Sequence, residues 1–174
     1  MLTDSETTDR SVLIWVAEGT WRATVEAALS LAPADAKFTL LHVTDAEAAA
    51  AAHGAYLGLL GRHGRDPSVR LDVLEEESAA QLLQEAARRL GRPCERLELQ
   101  GQPERAVVAA SARADLLIVA RDGDRSRLGP KSLGKATRFV VDHAACPVLL
   151  VWPESPPDVG AIPPAPDHPH PPGQ

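Results

Sequence analysis

Aromatic side chains are nearly missing from this chain of 174 residues: three Trp, two Phe and one Tyr make up 3% of it. A core must therefore be assembled from Ala, Val, Leu and Ile. Basic charge is short as well. Lys and Arg number 18 against 24 Asp and Glu, a net charge of −6, which argues against a nucleic-acid binder with its basic face or stripe. Cysteine is scarce: Cys94 and Cys146 lack metal-ligand spacing, so neither a disulfide framework nor a metal site is readable. No apolar run approaches the roughly 20 residues that span a bilayer. The opening "MLTDSETTDR" lacks the basic start and apolar stretch of a secretory signal. The expectation is a cytoplasmic, reduced protein with no nucleic-acid or membrane partner.

What is present is alternation of strands and helices. "SVLIWVAEGT" carries an unbroken apolar run, Val12 to Ala17, which suits a strand buried on both faces of a parallel sheet. Thr20 is placed to cap a helix that Pro33 stops. "KFTLLHV" reads as a second strand. An alanine-rich helix follows from a cap at Asp45 and fades at Gly61 or Gly64. The next helix opens on Asp66 and Pro67 and runs to about Arg89, with Gly91 beyond its end. "CERLELQG" is a third strand, "QPERAVVAASARA" a helix opening at Pro103, and "DLLIVA" a fourth, apolar strand. A charged, glycine-bearing loop covers Arg121 to Lys131. "SLGKATRFVVDHAA" is the last helix and "CPVLLVW" the last strand. This order implies right-handed crossovers and a parallel sheet covered on both faces, an α/β fold. Ligands in such folds sit beyond the carboxyl ends of the strands, where strand order reverses. That points to "AEGTW", "HVTD" and "ARDGDRSRLGPKSLGKAT".

After Trp152 the composition changes: the remainder holds nine of the 15 prolines. The expected organisation is an α/β domain over 1–152 and a Pro-rich disordered tail over 153–174. The tail's "DHPH" is a poor metal site on a mobile segment, and no metal is expected.

"GPKSLGKAT" nearly matches the phosphate-cradling pattern G-x-x-x-x-G-K-[ST], but Ala136 stands where a hydroxyl is needed. Residues Arg121 to Leu128 also separate it from the preceding strand, whereas such a loop should follow its strand directly. It is not read as an ATPase loop.

The chain resembles the universal stress protein family across nearly all of Val12 to Trp152. The likeness rests on "VLIWVAEGT", "FTLLHV", "GQPERAVVAASARADLLIVA" and above all "LGKATRFVVDHAACPVLLV". The resemblance implies a three-layer, doubly wound Rossmann-like fold with a five-stranded parallel sheet in the order 3-2-1-4-5. It implies a homodimer through the last strand and no chemical reaction of its own. One branch of the family binds ATP through a loop resembling G-x-x-G-x9-G-[ST], and one branch does not. Aligned on Gly134, that pattern falls on Arg121, Asp124, Gly134 and Lys135, of which Gly134 alone matches. Glu18 stands where the family carries aspartate.

The expected nucleotide contacts are Glu18, Gly19, Thr20 and Val43 for the nucleoside, and Arg121, Gly123, Gly129, Gly134, Lys135 and Thr137 for the phosphates. Gly123 and Gly129 supply flexibility, and five cations (Arg121, Arg125, Arg127, Lys131, Lys135), set against Asp122 and Asp124, attract phosphate. A helix start at Lys135 adds backbone donors and its dipole. Each has a plainer reading beside it: Glu18 as a solvated acid, Lys135 as an exposed cation, His42 and His143 as structural. Trp21 either stacks on an adenine or closes its helix against neighbours; Trp15 is core, and Trp152 packs at a dimer seam. The leading expectation is a regulatory, non-catalytic protein that binds adenine nucleotide, ATP with or without magnesium. The alternatives are a nucleotide-free dimeric interaction protein of the same fold, in which Arg121, Asp124 and Lys135 fill the cleft, and an enzyme of the adenine-nucleotide α-hydrolase kind.

Overall fold

The computed structural model describes residues 10–45, 47, 51 and 68–162. Five strands, β1 (Ser11–Trp15), β2 (Lys37–Asp45), β3 (Cys94–Gly101), β4 (Leu116–Ala120) and β5 (Val148–Val151), alternate with helices α1 (Trp21–Leu31), α2 (Ser68–Leu90), α3 (Pro103–Ser111) and α4 (Lys135–His143). All strand pairs are parallel, in the order β3-β2-β1-β4-β5. This is the order that the resemblance implies. The alanine-rich helix expected after Asp45 lies almost wholly outside the described residues, as do Asp66, Pro67 and the "DHPH" of the tail. At its start Asp45 Oδ1 accepts the Glu47 N–H at 2.9 Å, as a capping carboxylate does.

Strand side chains point to opposite faces in turn, and each face has its own core. Val12, Ile14 and Val16 face α1 and α2, meeting Val25, Ala28, Leu83, Ala86 and Leu90. Leu13 and Trp15 face α3 and α4, meeting Val107 and Val140. Both faces of β1 are buried, which is why its sequence runs apolar without alternation. From Arg96 onward the edge strand β3 alternates exposed and half-buried residues. Cys94 on β3 and Cys146 beside β5 lie at opposite edges of the sheet and are unbonded. Burial raises the pKa of both thiols.

The helix ends follow the expected signals with two differences. Thr20 directly precedes α1, but its hydroxyl donates back to the Ala17 carbonyl at 3.4 Å instead of accepting a helix N–H. The last helix begins at Lys135, because Pro130–Ser132 form a separate 3₁₀ turn. Beyond β5, the described residues include a short 3₁₀ turn, Val159–Ala161, where Asp158 accepts the Gly160 N–H at 2.7 Å.

At the amino ends of β1 and β4, Asp115 Oδ2 accepts the Ser11 N–H at 2.8 Å and the Ser11 hydroxyl at 2.9 Å. These bonds, the backbone one foremost, lower the Asp115 pKa. The folded chain therefore binds this proton more weakly than the unfolded chain. The stabilisation is complete above the ordinary carboxylate range and is lost as pH falls through the lowered native pKa. NMR titration of the Asp115 carboxyl is expected to show a midpoint below that of a free aspartate. Ser11→Ala should move it upward; a midpoint unaffected by that change contradicts the assignment.

Candidate functional site

A cleft of about 500 Å³ opens at the carboxyl ends of β1, β2 and β4. Its position follows from topology. Leaving β1 the chain turns to β2 on one side, and β4 lies on the other, so the connections diverge and leave a crevice between them. Trp15, Ala17, Val43, Ala79, Ala120 and Ala136 give it apolar walls. Small side chains at four of these positions keep it open. Thr20, Thr44, Thr137, Ser78 and His42 add polar groups, and Glu18, Asp45 and Asp122 add carboxylates. Among the described residues lining it, none is Lys or Arg.

Several of the polar groups are already fixed. Thr137 is 1% exposed and its hydroxyl donates to the Ala120 carbonyl at 3.3 Å. That bond joins the start of α4 to the end of β4 and leaves the hydroxyl oxygen as an acceptor. His42 Nδ1 lies 2.8 Å from the Val16 carbonyl oxygen. A carbonyl accepts but cannot donate, so Nδ1 carries the proton and Nε2 of the neutral ring is an acceptor. The turn after β1 is drawn in by Thr24, whose hydroxyl donates to the carbonyls of Trp21 and Trp15. Gly19, at φ 73°, takes the positive-φ position in that turn.

The loop from Arg121 to Gly134 folds onto itself. Gly123 N–H donates to the Ser132 carbonyl at 3.0 Å and Asp124 N–H to the Lys131 carbonyl at 2.8 Å. A Cβ on Gly123 would sit 2.7 Å and 2.8 Å from the backbone carbons of Ser132 and Leu133. Arg121 turns away from the cleft: its guanidinium lies 4.7 Å over the Trp152 ring and donates to the Ser132 hydroxyl. Arg127 pairs with Asp124 at 3.0 Å, and Arg125 with Glu154 at 3.1 Å. Asp124 has a lowered pKa, chiefly through the Ser126 hydroxyl, then the Ser126 N–H and Arg127. Asp122 Oδ1 accepts the Gly134 N–H at 2.7 Å. The protein's own carboxylate thus caps α4 at the point where a phosphate was expected.

Of the sequence-derived residues, Glu18, Thr20, Val43 and Thr137 line the cleft, and Gly19 sits between two of them in the β1–α1 turn. Arg121, Gly123, Gly129, Gly134 and Lys135 do not line it. Lys135 is exposed and borders a shallow surface depression with Arg138, Phe139, Asp142 and His143. Gly129, at φ 102°, serves the turn into the 3₁₀ segment. Trp21 packs in the core beside α2 and not over the cleft; Trp15 is the aromatic wall. The sequence reading takes His42 as structural and Asp122 only as a charge set against the loop's cations, whereas both line the cleft. The signal for Asp122 is that an acid is favoured at the start of the last helix.

A family model described as the universal stress protein family matches residues 13–151. Solved structures similar to this chain include the hypothetical protein MJ0577 (TM-score 0.63, 17% identity, 83% of this chain and 96% of that one). A universal stress protein in complex with cAMP also matches (0.54, 21%, 83% and 98%). A third is the universal stress protein UspA from Lactobacillus plantarum (0.55, 21%, 82% and 97%). At these identities the likeness is one of fold. No curated protein matches the chain. Residues 124–133 place ten positions between Gly123 and Gly134, one more than the G-x-x-G-x9-G-[ST] spacing. Allowing for that extra residue, Ala120 and Gly123 take the places of the first two glycines, instead of Arg121 and Asp124.

Gly123→Ala is expected to destabilise the fold by about 2 kcal/mol, lowering Tm by several degrees, since the backbone it faces must shift. Thermal unfolding followed by circular dichroism checks this; an unchanged Tm contradicts the close approach.

Proposed function

The chain belongs to the universal stress protein family, and from that premise we propose that it is a regulatory, non-catalytic protein that holds the nucleoside part of an adenine nucleotide in the cleft. The observation that carries this reading is the cleft itself: nucleoside-sized, apolar-walled and rimmed with hydrogen-bonding groups at the carboxyl ends of β1, β2 and β4. The base lies against Val43 and Ala17. The Glu18 carboxylate and the Thr44 hydroxyl serve the ribose hydroxyls. A solved protein of this fold in complex with cAMP supports the ligand class. Binding acts by changing dimer or partner state, not by turnover, and the setting is the cytoplasm. Magnesium is not required for the nucleoside contacts.

The dimer forms through β5. This strand ends the sheet, with β4 on one side, and its residues Val148 to Val151 are all half-buried in the single chain. An apolar strand edge of this kind calls for a partner or a cover. The second reading, a nucleotide-free interaction protein, is favoured by one observation: the expected phosphate anchor is already occupied by Asp122. In that reading the dimer surface carries the function.

Equilibrium dialysis with AMP distinguishes the two. Binding tighter than about 100 μM, roughly −5.5 kcal/mol, is expected, weakened about tenfold by Glu18→Ala, which removes an exposed side chain without touching the core. No binding at millimolar AMP contradicts the nucleotide reading. Sedimentation should show a dimer. Leu117 N–H and Arg121 N–H bond to the carbonyls of Pro147 and Val151, so alternation aims the Leu150 N–H outward. Leu150→Pro should then give monomers; a wild-type chain that is already monomeric contradicts the interface.

A further inference from the structure

We infer that the cleft selects a nucleoside-type ligand carrying little or no phosphate, and that Asp122 is the residue that sets this preference. The inference rests on the adenine reading above and narrows it.

A polyphosphate needs three things at such a site: free backbone donors, cations aimed inward, and a backbone it can approach. Among the described residues, inward cations are missing and the other two are curtailed. The helix-start N–H of Gly134 is taken by Asp122 Oδ1 at 2.7 Å. Gly134 has no side chain, and the space a Cβ would fill is filled instead by the carboxylate, whose atoms lie 2.8 Å from that position. None of the five cations counted near the loop lines the cleft. Arg121 lies on Trp152, Arg125 is bonded to Glu154, Arg127 to Asp124, and Lys131 and Lys135 are exposed. Gly123, the glycine that could admit a phosphate, is pressed against the backbone of Lys131 to Leu133.

The described lining of the cleft has the opposite charge from the one a polyphosphate needs. Glu18, Asp45 and Asp122 line it, and no Lys or Arg does among the described residues. Yet it is not merely an acidic patch. About 500 Å³ of it is walled by Trp15, Val43 and alanines, which suits a flat, uncharged base. The Asp122 carboxylate takes the phosphate's place on the helix, so a ligand that brings its own phosphates meets both an occupied donor and a like charge. A neutral nucleoside meets neither, and its ribose hydroxyls can donate to the exposed Glu18 carboxylate.

The test is the affinity of adenosine, AMP and ATP (ATP with and without magnesium) for the full chain by titration calorimetry, at low and high salt. Adenosine is expected to bind at least tenfold more tightly than ATP, about 1.4 kcal/mol. Raising the salt should narrow the gap, because screening weakens the repulsion. Asp122→Asn keeps a side-chain oxygen for the Gly134 N–H while removing the charge. It should raise ATP affinity severalfold and leave adenosine within twofold. The wild-type ranking and its salt dependence stand even if that variant fails to fold. ATP binding as tightly as adenosine or more so overturns the inference while the adenine reading stands. Failure of all three ligands to bind overturns both.

Discussion

The Asp122 carboxylate, just past the end of β4, accepts the N–H of Gly134, the residue that caps the start of α4, at 2.7 Å. Much of the cleft's outer wall depends on this bond. It fixes the carbonyl ends of β4 against the start of α4, where the buried Thr137 hydroxyl adds a second tie to Ala120. With both ends of the 121–134 segment pinned together, the residues between must double back. Gly123 and Asp124 then pair with Ser132 and Lys131, and Arg121 is left to emerge toward Trp152. A carboxylate of the chain itself therefore stands at the helix start where an anion could have stood, facing its dipole and taking the Gly134 donor.

The cleft is a consequence of the sheet. Order β3-β2-β1-β4-β5 opens a crevice beside β1 in any chain that folds this way. What this sequence adds is its lining: small apolar residues that leave room, and acids and hydroxyls at the rim. The fold supplies a place for a small molecule, and the side chains decide its charge. The absence of inward cations among the described lining residues separates this site from one built around phosphate.

The fold was legible because its signals are local. Unbroken apolar runs in β1 and β4 report burial on both faces, and Pro33, Pro103 and Gly91 mark helix ends within a turn of where they occur. Strand order came from the family resemblance. Part of the cleft's lining was legible too. Glu18, Thr20, Val43 and Thr137 all lie at strand ends or helix starts, so topology alone brings them together. The partners of the loop residues were not. Weighing the loop's cations against Asp122 and Asp124 as a sum of charges did not show which pairs form, Asp124 with Arg127 and Glu154, far along the chain, with Arg125. The partnership of Asp122 with Gly134 spans twelve positions and depends on how the loop closes, which no local pattern encodes. The alignment on Gly134 also assumed a spacer one residue shorter than the loop has, and so looked for glycine at Arg121 and Asp124 instead of at Ala120 and Gly123.

The most direct measurement is a crystal structure of the chain grown or soaked with millimolar ATP. The account predicts the base and ribose in the cleft, Asp122 still within hydrogen-bond distance of the Gly134 nitrogen, and the phosphates directed into solvent. A triphosphate seated on the Gly134 N–H, with the Asp122 side chain swung aside, would contradict it.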